Sequence, residues 1–345
     1  MVVTQAHHGH LSLDSTIGVQ KMHHAPTPRV GGIALAAGLA MGFIVAPATA
    51  RPVLLPMLAA AIPAFAVGLW EDLTKRVSVR TRLAVTMSSG LLAWALTGIS
   101  LTRVNVPGID YALAAFVPLS VLFTAFAVSG AANAFNIIDG FNGLSGGVAV
   151  VCLSALASIA AQAGDAAMVQ VCMLLAMATL GFLLVNFPFG KIFLGDGGAY
   201  LVGFLIGWVA VALPMRNAEV SVWATLLACA YPILETGFSI YRRSRRDRSP
   251  GDADRLHLHS LVLRRVTSKL LPRTSSLVRN SATGAIMWAA ALVPALLAVQ
   301  YPGNTAMLAG TFLLCALGYS AIYARLTQFR WCFRPATLAT EASAA

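Results

Sequence analysis

The chain has 345 residues, 58% of them hydrophobic and 11% charged, with a formal net charge of +11. A soluble domain carries roughly a quarter charged residues, so this composition excludes a soluble enzyme with a large core. The excess of base could suggest a nucleic-acid partner, but its distribution along the chain argues against one.

Apolar runs of about 18 residues or more without a charge read as membrane spans. Ten follow in chain order: residues 33–50, 52–70, 83–101, 112–130, 145–163, 166–187, 198–214, 220–241, 281–300 and 305–324. Only the eighth holds an acid, Glu235. Ten spans put both ends in the cytoplasm. On that arrangement 21 of the 24 Lys and Arg fall inside, and Arg51, Arg103 and Arg216 fall outside. The positive-inside rule then accounts for the basicity, and no polyanion is needed. The expectation is one all-α polytopic membrane domain over residues 1–345. Its cytoplasmic loops lie near residues 71–82, 131–144, 188–198 and 242–280.

The first thirty residues contain no apolar run long enough for a signal peptide or anchor. They hold His7, His8, His10, His23 and His24 without the spacing of a metal site. Cys152, Cys172, Cys229, Cys315 and Cys332 also lack ligand spacing and read as small apolar residues.

A channel or transporter places its ionisable groups near the bilayer midplane. Here Glu71, Asp72, Asp139 and Asp196 all fall at cytoplasmic helix ends, which points to an active site on one membrane face. Adjacent carboxylates such as Glu71 and Asp72 can hold a divalent cation or raise one another's pKa. Asn133, Asn136 and Asp139 recur at helical spacing and so share one face at the inner end of the fourth span. In the segment 189–198, consecutive glycines at a helix start suit a bound phosphate, Asp196 can ligate Mg²⁺, and Phe193 can stack on a base. In the long inner loop, Arg255, His257 and His259 offer charge-assisted hydrogen bonds to phosphates. Zinc is disfavoured there, because no Cys or third His completes a site. Carboxylates, basic groups and glycine backbone beside lipid fit phosphoryl transfer from a nucleotide donor to a lipid acceptor.

Five segments in order then resemble the polyprenyl-phosphate N-acetylhexosamine-1-phosphate transferases and the related phospho-MurNAc-pentapeptide translocase. They are Lys21 to Gly32 with its Pro26, Pro28 and Arg29; Glu71-Asp72; Asn133 to Leu144; Lys191 to Gly198; and Ser249 through Arg255 to His259. The resemblance implies Asp196 as the ligand of Mg²⁺, or of Mn²⁺ in its place. It implies Glu71, Asp72 and Asp139 as the catalytic carboxylates. Asn133, Asn136 and Asp139 line the cleft, Asn142 can hydrogen-bond a nucleobase or sugar, Phe193 lies by the uracil, and Arg255, His257 and His259 clamp the donor. It sets Arg80 or Arg82 against the lipid phosphate. Its substrates would be a UDP-N-acetylhexosamine and undecaprenyl phosphate in the bacterial inner membrane, for cell-surface polysaccharide of the O-antigen kind. A homodimer is compatible with it.

The chain departs from the family pattern at four places: Glu71 replaces an Asp, Asn142 replaces an Asp, Ser260 replaces a His, and Glu235 replaces an Asp. The family usually has one more span at its start, so either the start is truncated here or this is a ten-span variant. The rival readings are a ten-helix transporter, with Glu235 as its one charged midplane candidate, and a catalytically impaired paralogue. A two-step route through a phospho-enzyme on Asp139 competes with direct attack by the acceptor.

Overall fold

The computed structural model describes residues 13–14, 27–245 and 256–328. Arg255 and the N-terminal histidines lie outside the described residues. The fold is all-α apart from one two-residue antiparallel pair, β1 (Leu13–Asp14) against β2 (Thr27–Pro28).

Fourteen helices follow among the described residues. They are α1 (Gly31–Val45), α2 (Arg51–Thr74), α3 (Val79–Thr97), α4 (Pro107–Ala115), α5 (Val117–Ile138), α6 (Leu144–Gln162) and α7 (Ala166–Asn186). Then come α8 (Gly195–Arg216), α9 (Val222–Ala228), α10 (Ala230–Ser244), α11 (Leu258–Val262), α12 (Ser268–Leu270), α13 (Ser276–Gln300) and α14 (Thr305–Thr327). A π-helical turn, Leu263–Thr267, joins α11 to α12.

Seven of these helices are long and apolar enough to cross a membrane: α2, α5, α6, α7, α8, α13 and α14. The other three of the ten expected spans fall short of that length or composition, for three physical reasons. The first run gives a helix of only 15 residues, α1. The third, α3, begins with Arg80 and Arg82 and carries Thr and Ser along its length. The eighth breaks at Cys229 into α9 and α10, three residues before Pro232, which has no N–H to give to a continuous ladder.

Helix α8 is the axis of the bundle. Nearly every residue from Gly195 to Pro214 is buried, and α2 and α5 pack along it. At one end, three arginines tie down loops and helix ends. Arg51 donates to the carbonyls of Ala46 and Ile44, and Arg103 to those of Pro214, Asn217 and Val220. Arg216 pairs with Asp165 at 2.7 Å. These are the three bases that the charge distribution set apart from the rest. The candidate site lies at the opposite end.

Candidate active site

The site is built around the first turn of α8. Gly195 takes φ +74°, a backbone that side-chain-bearing residues rarely adopt, and a Cβ there would collide with the Arg29 carbonyl and the Asp72 carboxylate. The next two amides point at Asp72. Its Oδ1 accepts from the Asp196 N–H and its Oδ2 from the Gly197 N–H, both at 2.9 Å. Asp72, at the end of α2, thus caps α8 from another helix, placing a negative charge at the positive end of the helix dipole.

Asp196 projects from this turn between two guanidiniums. Its Oδ1 accepts from Arg29 at 3.0 Å and its Oδ2 from Arg82 at 2.6 Å. Arg82 comes from the start of α3, which Ser78 caps by accepting from the Thr81 N–H. Arg29 comes from the strand-like segment after β2. That segment is held to the α8 loop by the Phe193 N–H on the Pro28 carbonyl, 2.8 Å, and by the Gly31 and Gly32 N–H groups on the carbonyls of Phe193 and Leu194, each 2.9 Å. Phe193 is therefore fixed through its backbone on the floor of the site.

The third acid, Asp139, closes the C-terminal end of α5. It keeps some accessible surface as a residue. Burial of its carboxyl nevertheless pushes its pKa up to about 7; the Asp196 and Asp72 charges add to the rise, while the Arg29 guanidinium and the Gly195 N–H oppose it. Glu71 faces the neighbouring turn, where its Oε2 accepts from the Val77 N–H at 2.8 Å. One turn and two turns before Asp139, the Asn136 Oδ1 accepts from the Tyr200 hydroxyl at 3.5 Å and the Asn133 amide donates to the Ser129 carbonyl at 2.8 Å.

Asn142 is used to hold loops together. Its N–H donates to Asn280 Oδ1 at 2.7 Å, and its side-chain amide faces the Pro188 carbonyl and Ser281 Oγ. Buried Asn186 acts likewise, accepting from the Gly143 N–H at 2.6 Å and donating to the Ile192 carbonyl at 2.7 Å. Asn186→Ala would strand both buried backbone groups, at about 1–3 kcal/mol each. The apparent Tm in detergent is expected to fall by roughly 5–10 °C, while a surface change such as Ser158→Ala leaves it unmoved.

On the far side of Asp139 stands the start of α11. His257 and His259 stack with ring centroids 5.3 Å apart, and Phe141 meets His259 edge-on. Glu235, from α10, pairs with His257 Nδ1 at 2.9 Å. The acid that a transporter would need at midplane is thus engaged by the site's own histidine loop.

The structure gathers Glu71, Asp72, Asp139, Asp196, Asn133, Asn136, Phe193, His257 and His259 at one end of the bundle. Sequence reasoning missed Arg29, Tyr200 and Asn186 as members. Arg29 had a signal, its place two residues before Gly31-Gly32; the other two lie within apolar runs and had none.

The donor set suits a hard cation in kind, because all its anionic members are carboxylates. Burial raises the Asp139 pKa to about 7, and a cation would relieve the part that the Asp196 and Asp72 charges add. Among the described residues, however, no three acidic, His or Cys groups stand placed to hold one. Arg29 and Arg82 already engage both oxygens of Asp196, so a cation and the guanidiniums compete for the same carboxylate.

Residues 54–214 match the model of glycosyl transferase family 4. The chain is 29% identical over 250 residues to the undecaprenyl-phosphate alpha-N-acetylglucosaminyl 1-phosphate transferase of Yersinia pestis, covering 71% of this chain and 68% of that protein. It is 28% identical to the protein of the same name from Escherichia coli K12, covering 71% and 67%. It is also 29% identical over 333 residues to the decaprenyl-phosphate N-acetylglucosaminephosphotransferase of Mycolicibacterium smegmatis, covering 86% and 78%. The matched stretch runs from α2 through α8 and so contains Asp72, Asp139 and Asp196, the three acids that meet at the first turn of the central helix; over that stretch the chain is similar to glycosyl transferase family 4.

Proposed function

We propose that the protein transfers an N-acetylhexosamine 1-phosphate from a UDP-sugar to undecaprenyl phosphate on the cytoplasmic face of a bacterial inner membrane, starting a cell-surface polysaccharide of the O-antigen kind. The observation that carries this reading is the arginine–carboxylate cluster at the first turn of α8. It sets Arg29 and Arg82 beside the N-terminal end of α8, where the helix dipole favours anions. The printed activities of the relatives from Yersinia pestis and Mycolicibacterium smegmatis support the same chemistry.

In this reaction an oxygen of the acceptor phosphate attacks the β-phosphorus of the donor. The bond from that phosphorus to the bridging oxygen breaks, and UMP leaves with that oxygen. Arg82 and Arg29 bind phosphate oxygens, and the stacked histidines hold the donor from the opposite side. Asp72 is spent on the α8 amides and keeps the helix start in place. Asp139, between the two groups of residues, takes the acceptor's proton. Mg²⁺ held at Asp196 would supply charge neutralisation on the diphosphate.

The experiment is an assay of purified protein with undecaprenyl phosphate, UDP-GlcNAc or UDP-GalNAc, and Mg²⁺. The expected products are a lipid diphosphate sugar and UMP, and excess UMP should drive the product back to UDP-sugar. UDP as co-product would mean that the sugar–oxygen bond breaks, which overturns the reading. Absence of a lipid product with any UDP-N-acetylhexosamine would leave the impaired paralogue.

A further inference from the structure

Glu235 is one of the most deeply buried acids among the described residues, 1% exposed, and the reaction as described gives it no part. It sits in α10, just after the break at Cys229 and beyond Pro232, and reaches the loop that opens α11. Its Oε1 lies 2.9 Å from His257 Nδ1. The next residue, Leu258, donates its N–H to the same carboxylate, 3.2 Å to Oε1 and 3.1 Å to Oε2. The Tyr319 hydroxyl lies near the carboxylate too, without meeting hydrogen-bond geometry.

Burying a carboxylate costs free energy unless its oxygens are well supplied with donors. Here the donors are the ring and the backbone of one short stretch, His257-Leu258. An ionised carboxylate only accepts hydrogen bonds, so His257 must carry its proton on Nδ1. Neutral His257 then presents Nε2, on the far edge of the ring, as an acceptor.

His257 in turn orders His259. The two rings are nearly parallel, 14° apart, and the His259 Nδ1 lies 3.3 Å from the Tyr231 hydroxyl. The Nε2 edge of His259 faces the backbone after Asp139, so that a Cβ on Gly140 would stand 3.3 Å from it. A chain of contacts therefore runs from Glu235 through both imidazoles to the residue next to Asp139.

We propose that Glu235 is a positioning residue for the transfer reaction: it fixes the tautomer and orientation of His257, and through the stacked ring of His259 it sets the donor-binding edge of the site. The inference rests on the reading that these histidines meet the donor diphosphate.

Glu235→Gln tests it with little change of shape. A Gln oxygen at the Oε1 place can still accept from His257 Nδ1–H and the Leu258 N–H, but the charge is gone and the NH₂ group at the Oε2 place meets the Leu258 N–H, so the ring is held less firmly. Turnover in the UMP-release assay is expected to fall about 10- to 100-fold, the usual scale for losing a group that orients a functional histidine. Glu235→Asp restores most of it, because the charge returns. In an H257A background, E235Q adds nothing, because a residue acting only through His257 has nothing left to act on. Equal losses from E235Q with and without His257 would overturn the proposal, as would wild-type turnover in E235Q.

A second readout does not depend on activity. Wild-type protein labelled with [¹⁵N]histidine should show one imidazole in the Nδ1–H form whose signals vanish in H257A. An Nε2–H tautomer there overturns the pairing, even if E235Q fails to fold. If wild-type protein releases UMP but H257A retains full turnover, the positioning role falls and the transferase reading stands. If no UMP is released at all, the transferase reading fails while the tautomer result still decides the Glu235–His257 pair.

Discussion

Asp196→Asn is expected to lower turnover about 10³-fold, the scale of removing a preorganised charge from the reacting centre, while the protein still folds and inserts. The substitution keeps the shape of the side chain and removes its charge. Arg82 and Arg29 then lose the carboxylate that lies 2.6 and 3.0 Å from them, and the Asp72 carboxylate is more distant from Arg29, at 3.5 Å. Both lose the anion that sets their position for substrate phosphate, and the carboxylate proposed to hold Mg²⁺ is gone. Steady-state UMP release over a Mg²⁺ titration, with gel filtration in detergent as the folding control, checks the prediction. Near-wild-type rates at ordinary Mg²⁺ would remove Asp196 from both roles.

Asp72→Asn should cost about 10²-fold in turnover by a different route. Asp72 accepts two backbone N–H groups, one on each oxygen, both at 2.9 Å. Asn offers one oxygen and an NH₂, so one α8 amide must face a donor and lose its partner. The site would suffer through its frame, because the first turn of α8 carries Asp196. Amide hydrogen exchange at residues 195–198 should quicken in D72N and stay slow in D196N. Unchanged exchange together with lost turnover would mean that Asp72 acts on substrate directly.

The carboxylates of this site could be read from the sequence because each stands at the polar end of an apolar run, where a charge is conspicuous. The grouping of Asp72, Asp139 and Asp196 needed only sidedness. The division of labour among them did not follow from it. Whether Asp72 meets substrate or the backbone depends on hydrogen bonds to residues more than 120 positions away. Asn142 shows the same limit: in a Gly-rich loop it reads as a ligand-binding amide, and tertiary packing turns it toward Pro188 and Ser281. Tyr200 and Asn186 lie in hydrophobic helices, where one polar atom leaves no trace in periodicity. The break at Cys229 had a cue in Pro232, yet prolines are common in membrane helices, and only the packing of α9 and α10 shows which one interrupts a span.

The two sides of the site are made of different material. Around Asp196 the walls are main chain: Gly32 lies so close to Gly198 that a methyl group on either would strike the other's backbone, and Gly195 leaves no space before the Arg29 carbonyl. Around His257 and His259 the neighbours are side chains, Tyr231 and Phe141 among them, which can be exchanged one at a time. A library aimed at a new sugar donor should therefore leave the glycine side untouched and vary the aromatic side, since only there does a change of residue reshape the cavity without displacing a helix.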